Sequence, residues 1–475
     1  MGRALAVLGT MSSVGKSVLA ALISYHLAQK GLKVSPFKAQ NMSLNAFATP
    51  EGEMAYAQAF QAWAAGRDPS VRMNPLLLKP LGNMTAELIF LGRSQGILPS
   101  DKFRQYKAAY KEKVFAVFEE LLSENDWVII EGAGSVAELN LLENDFVNYE
   151  LVLKYRIPFV LVGDIDRGGI FAQIWGTYEL VPDLKDLSIG FVINKFRGAP
   201  TLFEEGVRIL EKKTGKPCLG LLPYFHESLF EEDSASLGSP GGRFKTEGLR
   251  LAVVYYPHIS NYLDLDPLRM EEDVEVLLTD DPQELERAHV IILPGSKNTL
   301  ASLRYLREKG LFQKIKELSG EKIIFGLCGG FQLLGRLISD KGVENEGEEI
   351  GLGLLPHQTV FQPEKIAEGT KLFLEFPFFK GLVSGFEIRY GRSYFEGQEI
   401  RALHRDLVFG TYLHGVFYQD EFRHAFLSFV RRYFGLRERP LMKFRDYLFA
   451  RLSSFCHKPP VFTFLSRLEE ILIPK

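Results

Sequence analysis

Short apolar runs alternate along this chain with longer stretches of helical spacing. In the first half the runs fall at residues 4–8, 127–130, 159–162, 189–193 and 219–222, and residues 18–29 have the pattern of a helix. Alternation of this kind predicts parallel strands joined by crossover helices. Between about 227 and 248 the rhythm lapses into acidic residues, serines and the turn sequence Gly238-Ser239-Pro240-Gly241-Gly242, which marks a domain boundary. Further runs at 251–255, 290–293, 322–325 and 407–412 predict a second α/β domain. Residues 436–475 are aromatic and basic without a motif, and helical packing is expected there. The expected division is thus 1–235, a linker at 236–248, 249–435, and a C-terminal helical extension at 436–475.

Composition supports two soluble domains. A chain of 475 residues exceeds the size at which one core stops growing, and 46% hydrophobic with 24% charged residues is ordinary for globular protein. The net charge of −3, with no long run of Lys or Arg, gives no attraction to nucleic acid. Cys218, Cys328 and Cys456 are too few and too scattered for a disulfide framework, and no C-x-x-C or His cluster suggests zinc. A reducing cytoplasm is the natural compartment. The first glycine loop begins too early to leave room for a signal peptide, and no apolar stretch approaches membrane-spanning length, so no membrane partner is expected.

The first run enters Gly9-Thr10-Met11-Ser12-Ser13-Val14-Gly15-Lys16-Ser17. A glycine-rich turn between strand and helix aims backbone N–H groups at one spot, where the helix N-terminus adds partial positive charge. Such a cradle takes phosphate. Gly9, Thr10, Ser13 and Gly15 line it, Lys16 reaches the β and γ phosphates of ATP, and the Ser17 hydroxyl is placed to ligate Mg2+. The loop has one residue more than G-x-x-x-x-G-K-S, and this variant resembles the loop of dethiobiotin synthetase and the partitioning ATPases. Glu131 ends one apolar strand and is a candidate for Mg2+; Asn194 ends another and is a candidate for adenine.

The second chemical signal is Gly326-Leu327-Cys328-Gly329-Gly330, following an apolar run and preceding a helical pattern at 331–338. Glycines around a nucleophile permit the tight turn that thrusts its side chain outward. Exposure and a nearby helix N-terminus are expected to favour the Cys328 thiolate. His414, in Gly410-Thr411-Tyr412-Leu413-His414-Gly415, is the best placed of nine histidines to act as its base. An oxyanion hole is expected from the backbone N–H of Gly329 and from Gly295 in Leu293-Pro294-Gly295-Ser296.

With these residues in hand, the chain resembles the cobyric acid synthase family, the glutamine-hydrolysing amidotransferases of cobalamin biosynthesis, over nearly its whole length. Its most specific pieces are Pro36-Phe37-Lys38-Ala39-Gln40-Asn41-Met42-Ser43-Leu44-Asn45, Met73-Asn74-Pro75-Leu76-Leu77-Leu78-Lys79-Pro80, Asp164-Ile165-Asp166-Arg167-Gly168-Gly169 and Leu293-Pro294-Gly295-Ser296-Lys297-Asn298-Thr299. The resemblance implies an N-terminal P-loop, dethiobiotin-synthetase-like parallel-sheet domain and a C-terminal class I glutamine-amidotransferase-like α/β domain. It implies a corrinoid substrate, adenosylcobyrinic acid a,c-diamide, whose b, d, e and g carboxylates would be activated by ATP as acyl phosphates and amidated with ammonia from glutamine. Lys38, Lys79 and Arg167 become candidates to meet substrate carboxylates or phosphates, and Gln40, Asn41 and Asn45 candidates to read amides.

Three positions depart from expectation. Most class I glutaminases carry an acid two residues after the histidine, but Val416 stands there, as is common in this family. Arg389 stands where the family pattern has histidine, and His258 where it has arginine. Two alternatives remain: the sibling enzyme that amidates the a and c carboxylates of cobyrinic acid, and a non-catalytic P-loop ATPase switch or scaffold. Gln40-Asn41-Met42-Ser43 and Met73-Asn74-Pro75 argue against the first, and retention of Cys328 and His414 in apt loops against the second. Nothing in the sequence addresses oligomeric state.

Overall fold

The apolar runs of the first half become a six-stranded sheet with Arg3–Gly9 near its centre. In spatial order the strands are Cys218–Pro223, Ser188–Phe196, Phe159–Asp164, Arg3–Gly9, Trp127–Glu131 and Val34–Phe37, every neighbouring pair parallel. Parallel strands need covered faces, and Phe37, Phe118, Phe146, Phe159 and Phe191 are among the buried residues of that core. Arg3–Gly9 lies between strands that follow it by different crossovers, so the strand order reverses beside its C-terminal end. Such a switch point is where open α/β sheets bind ligands.

This computed structural model describes residues 2–82, 85–99, 102–224, 241–245, 248–344 and 346–473. The chain forms two compact units: Met1–Met42, Met54–Phe230 and Leu448–Lys475 in one, Ser43–Glu53 and Glu231–Tyr447 in the other. Of the expected linker, residues 236–240 and 246–247 lie outside the described residues. The extension at 436–475 is divided rather than separate. Helix Pro459–Leu472 buries Val461, Phe464, Leu465, Leu468 and Leu472 at helical spacing, and joins the first unit. Arg3 Nη1 donates to the Leu472 carbonyl at 2.6 Å, and Glu469 accepts from His26 and Lys30 at 3.0 and 3.2 Å.

In the second unit the sheet order is Val274–Thr279, Leu249–Val254, Val290–Leu293, Ile323–Leu327, Val408–Thr411 and Ala402–Arg405, parallel except for the last strand. Its core draws on the chain's 37 phenylalanines: Phe325, Phe409, Phe417, Phe422 and Phe426 are fully buried in one cluster. The helix expected at 331–338 is shorter, Gly329–Leu334, and Leu337–Lys341 is a strand. Gly335 breaks the helix in extended conformation, and a Cβ there would stand 2.8 Å from His357 Nε2. A five-stranded sheet spanning 337–400, built on Gln358–Phe376 and Phe379–Phe395, has no counterpart in the expected pattern. The register of those two long strands shifts between Phe361 and Ile366, around Pro363, which cannot donate to the ladder.

Candidate active sites

At the C-terminal edge of the first sheet the phosphate loop turns into helix Lys16–Gln29. Gly15 has φ 101°, and a Cβ there would lie 2.2 Å from Asn194 Nδ2, so only glycine fits. The loop is braced from neighbouring strand ends: Thr10 Oγ1 donates to Gln173 Oε1 at 3.1 Å, and Lys195 Nζ donates to the Ser13 carbonyl at 2.7 Å and pairs with Asp164 at 2.8 Å. Lys16 Nζ donates to the carbonyls of Met11 and Gly134 at 3.1 and 2.9 Å, which holds its charge over the loop that begins at Gly9. Asn194, a candidate for adenine, here donates its amide to the Val14 carbonyl at 2.8 Å. Lys195, absent from the sequence reading, is a second cation at this loop.

Glu131 is the hub of the site and is fully buried. Its Oε1 accepts from Ser17 Oγ and Lys38 Nζ, both at 2.8 Å, and its Oε2 from Gln58 Nε2 at 3.0 Å and Gln61 Nε2 at 2.5 Å. A buried carboxylate persists only when paired and hydrogen-bonded, and this one has both. Gln58 and Gln61 were not foreseen, although glutamines spaced i, i+3 on a helix, Tyr56–Ala64, with buried Ala, Phe and Trp are a legible signal. Ser17 and Glu131 present adjacent hard oxygen donors, which fits Mg2+, an ion that takes one or two protein ligands and completes its shell with phosphate and water.

Of the substrate candidates, Lys38 and Asn41 join this cluster, Asn41 by donating to Gln58 Oε1 at 3.1 Å. Gln40 is buried with its Oε1 lacking a hydrogen-bond partner among the described residues. Lys79 is fully buried on strand Leu76–Gly82, in register with Glu87. Arg167 is exposed in the loop after Asp164. Asn45 belongs to the second unit, its N–H on Ser43 Oγ at 3.0 Å.

In that unit Cys328 follows strand Ile323–Leu327 with φ 48° and ψ −104°, a strained turn of the nucleophile-elbow kind. Gly330 permits the turn: a Cβ would lie 1.8 Å from the Leu293 carbonyl oxygen. The thiol is less open than expected, at 6% exposure, because strand Phe379–Phe395 covers it; Sγ lies 3.5 Å from the Ile388 carbonyl. His414 faces Cys328 closely enough for the charge of the sulfur to act on the imidazole. Gly295 and Gly329 border the pair: a Cβ on Gly295 would lie 3.3 Å from His414 Cε1, and one on Gly329 2.6 Å from the Ser296 nitrogen.

The missing acid is Asp264. Its Oδ2 lies 2.5 Å from His414 Nδ1, and its Oδ1 accepts the Gly415 N–H at 3.1 Å. Burial drives the His414 pKa down, but Asp264 and the charge of an ionised Cys328 outweigh it and raise it to about 10. Nothing local signals this residue, since Asp264 precedes His414 by 150 positions. Val416, in the usual place of the acid, is buried apolar core.

Comparison with known proteins matches both halves of the chain to described domains. Residues 5–234 match the CobQ/CobB/MinD/ParA nucleotide binding domain, and residues 250–422 the CobB/CobQ-like glutamine amidotransferase domain. The chain is 44% identical to a cobyric acid synthase of Syntrophobacter fumaroxidans, covering 90% of this chain and 89% of that one. Cobyric acid synthases of Desulfitobacterium hafniense and Nostoc punctiforme are 42% and 41% identical, over 90% and 92% of this chain and 89% and 93% of theirs. The chain belongs to the cobyric acid synthase family.

Membership makes it a glutamine-dependent ligase of cobalamin biosynthesis, with a nucleotide-binding and an amidotransferase domain, and sets aside the scaffold alternative. Among the described residues no helix is long and apolar enough to cross a membrane. The departures from the cobyric acid synthase pattern are accommodated locally. Arg389 pairs with Glu387 at 2.7 Å and Glu399 at 3.2 Å, and lies 4.1 Å over the Tyr412 ring. His258 is held below the usual histidine range by burial.

Proposed function

We propose that this chain converts adenosylcobyrinic acid a,c-diamide to adenosylcobyric acid by amidating its b, d, e and g carboxylates, with ATP and glutamine consumed at each step. The observation that carries the reading is His414, bonded to Asp264 and set against Cys328, in the unit that matches the amidotransferase domain. The Cys328 thiolate attacks the glutamine amide carbon, and imidazolium His414 gives its Nε2 proton to the departing ammonia. Backbone N–H groups of Gly329 and Gly295 hold the transient oxyanion. Water, giving a proton to His414, then cleaves the glutamyl thioester to glutamate and restores the thiolate and imidazolium.

In the first unit a corrinoid carboxylate oxygen takes the γ-phosphoryl group of ATP, and ammonia displaces phosphate from the acyl phosphate to form the amide. Lys16, on the loop from Gly9 to Ser17 with Thr10, Ser13 and Gly15, neutralises charge on the transferred group. Ser17 and Glu131 would hold Mg2+, whose contribution is charge neutralisation on the phosphates. Lys38, Lys79 and Arg167 supply cations for a substrate rich in carboxylates, Gln40 and Asn41 supply amides, and Asn194 serves the nucleotide.

Mass spectrometry of adenosylcobyrinic acid a,c-diamide incubated with the protein, ATP, Mg2+ and glutamine tests the whole reading. Each carboxylate-to-amide change lowers the mass by about 1 Da, as OH gives way to NH2 in acyl transfer. Successive losses dependent on both ATP and glutamine support the proposal. No change, alongside amidation of cobyrinic acid, would transfer the activity to the a and c carboxylates.

A further inference from the structure

A short hairpin from the N-terminal part of the sequence belongs to the glutaminase unit. Residues 43–53 carry strand Ala46–Thr49 and lead into Gly52–Ala55. The hairpin has two further anchors: buried Glu53 pairs with Lys365 at 2.8 Å, and a Cβ on Gly369 would stand 2.9 Å from the Pro50 nitrogen. The start of its first strand meets the two neighbours of the catalytic imidazole. Phe47 packs edge-on against Phe386 at 5.2 Å, and Phe386 stacks on His414 at 5.2 Å and 16°. The Ala46 N–H donates to Asn261 Oδ1 at 3.2 Å, while Asn261 Nδ2 lies 3.5 Å from His414 Nε2. Asn261 is itself buried at φ 52°, a conformation that surrounding structure must hold in place.

The direction of that amide matters. With Oδ1 taken by Ala46, Asn261 turns a donor toward Nε2, and a donor cannot accept the imidazolium proton. The proton is left to the sulfur. If the amide flipped, Oδ1 would compete with Cys328 for the Nε2 proton and weaken the thiolate–imidazolium pair. We infer that Asn261 is a positioning residue of the glutaminase, and that hairpin 43–53, through the Ala46 N–H, fixes its amide in the orientation that leaves the His414 Nε2–H directed at the Cys328 sulfur. This rests on the reading of Cys328 and His414 as the glutaminase pair.

The test compares wild type with Asn261→Asp, Asn261→Ala, Ala46→Pro and Cys328→Ala, measuring glutamate release (kcat and KM separately) and the rate of Cys328 alkylation by iodoacetamide at neutral pH. Asn261→Asp, which sets a carboxylate oxygen beside Nε2 and leaves the hairpin untouched, is expected to lower kcat and alkylation about tenfold or more with little change in KM. Ala46→Pro, which removes the donor N–H, is expected to do the same in wild type and nothing further in the Asn261→Ala background. Wild-type kcat and alkylation in Asn261→Asp, or fully additive effects of Ala46→Pro and Asn261→Ala, would overturn the inference. Ammonia-dependent amidation in Asn261→Asp checks that the chain is folded, so an activity lost together with it would be misfolding and would also count against the positioning role. Glutamate release surviving in Cys328→Ala would instead overturn the glutaminase reading itself.

Discussion

Asp264 holds His414 by two bonds on one carboxylate, Oδ2 to Nδ1 at 2.5 Å and Oδ1 to the Gly415 N–H at 3.1 Å. The second bond fixes the carboxylate against the backbone that carries the histidine. The imidazole is thereby set in one orientation, with Nε2 left for the cysteine. Asp264→Asn keeps the shape but removes the charge and offers the wrong hydrogen to Nδ1. Glutamine-dependent activity is expected to fall by about 10²-fold or more, while amidation with added ammonia persists. Parallel assays with glutamine and with ammonium chloride check this, and equal losses in both would deny Asp264 its role.

The same pair makes stability depend on pH. The His414 pKa is raised to about 10 in the folded protein, against about 6.5 in an unfolded chain. Folding therefore gains from the pair in full below about pH 6.5, and the gain is lost as pH rises through about 10. Denaturant unfolding of wild type and Asp264→Asn at several pH values is expected to show the wild-type advantage shrinking toward pH 10. An advantage that is constant over this range would mean that His414 is neutral throughout.

Cys328 and Lys16 are expected to separate the two chemistries. Cys328→Ala should abolish glutamine-dependent amidation and spare amidation by added ammonia, because the thiol serves only nitrogen release. Lys16→Ala should abolish both, because without it the acyl phosphate is not formed. Normal amidation by Lys16→Ala would remove the phosphate loop from the mechanism.

The three cysteines are expected to differ in reactivity. Burial raises the Cys218 thiol to about 11 and the Cys456 thiol to about 12, and a thiol in that state is inert near neutrality. Cys328 has an imidazole beside it instead. Limited alkylation at neutral pH followed by peptide mapping should label Cys328 first, and glutamine should slow that labelling. Equal labelling of all three in the folded protein would contradict the thiolate assignment.

The phosphate loop, the cysteine elbow and the strands that carry them are visible in the chain because each is made locally. A buried parallel strand needs a continuous apolar run such as Leu5–Leu8 to cover both faces, and a turn that cradles phosphate or exposes a nucleophile needs Gly15 or Gly330 at a fixed offset. Such requirements leave their mark within a few residues. Asp264, Gln58 with Gln61, the transfer of residues 43–53 to the glutaminase unit and the return of helix Pro459–Leu472 to the first unit were set otherwise. Each depends on which distant side chain or edge the folded chain brings alongside. The buried carboxylate of Glu131 and the imidazole of His414 need partners for their charge, but any residue delivered to the right point in space serves, from any distance along the chain. The packing of the two cores supplies that delivery, and it has no local spacing by which to announce itself.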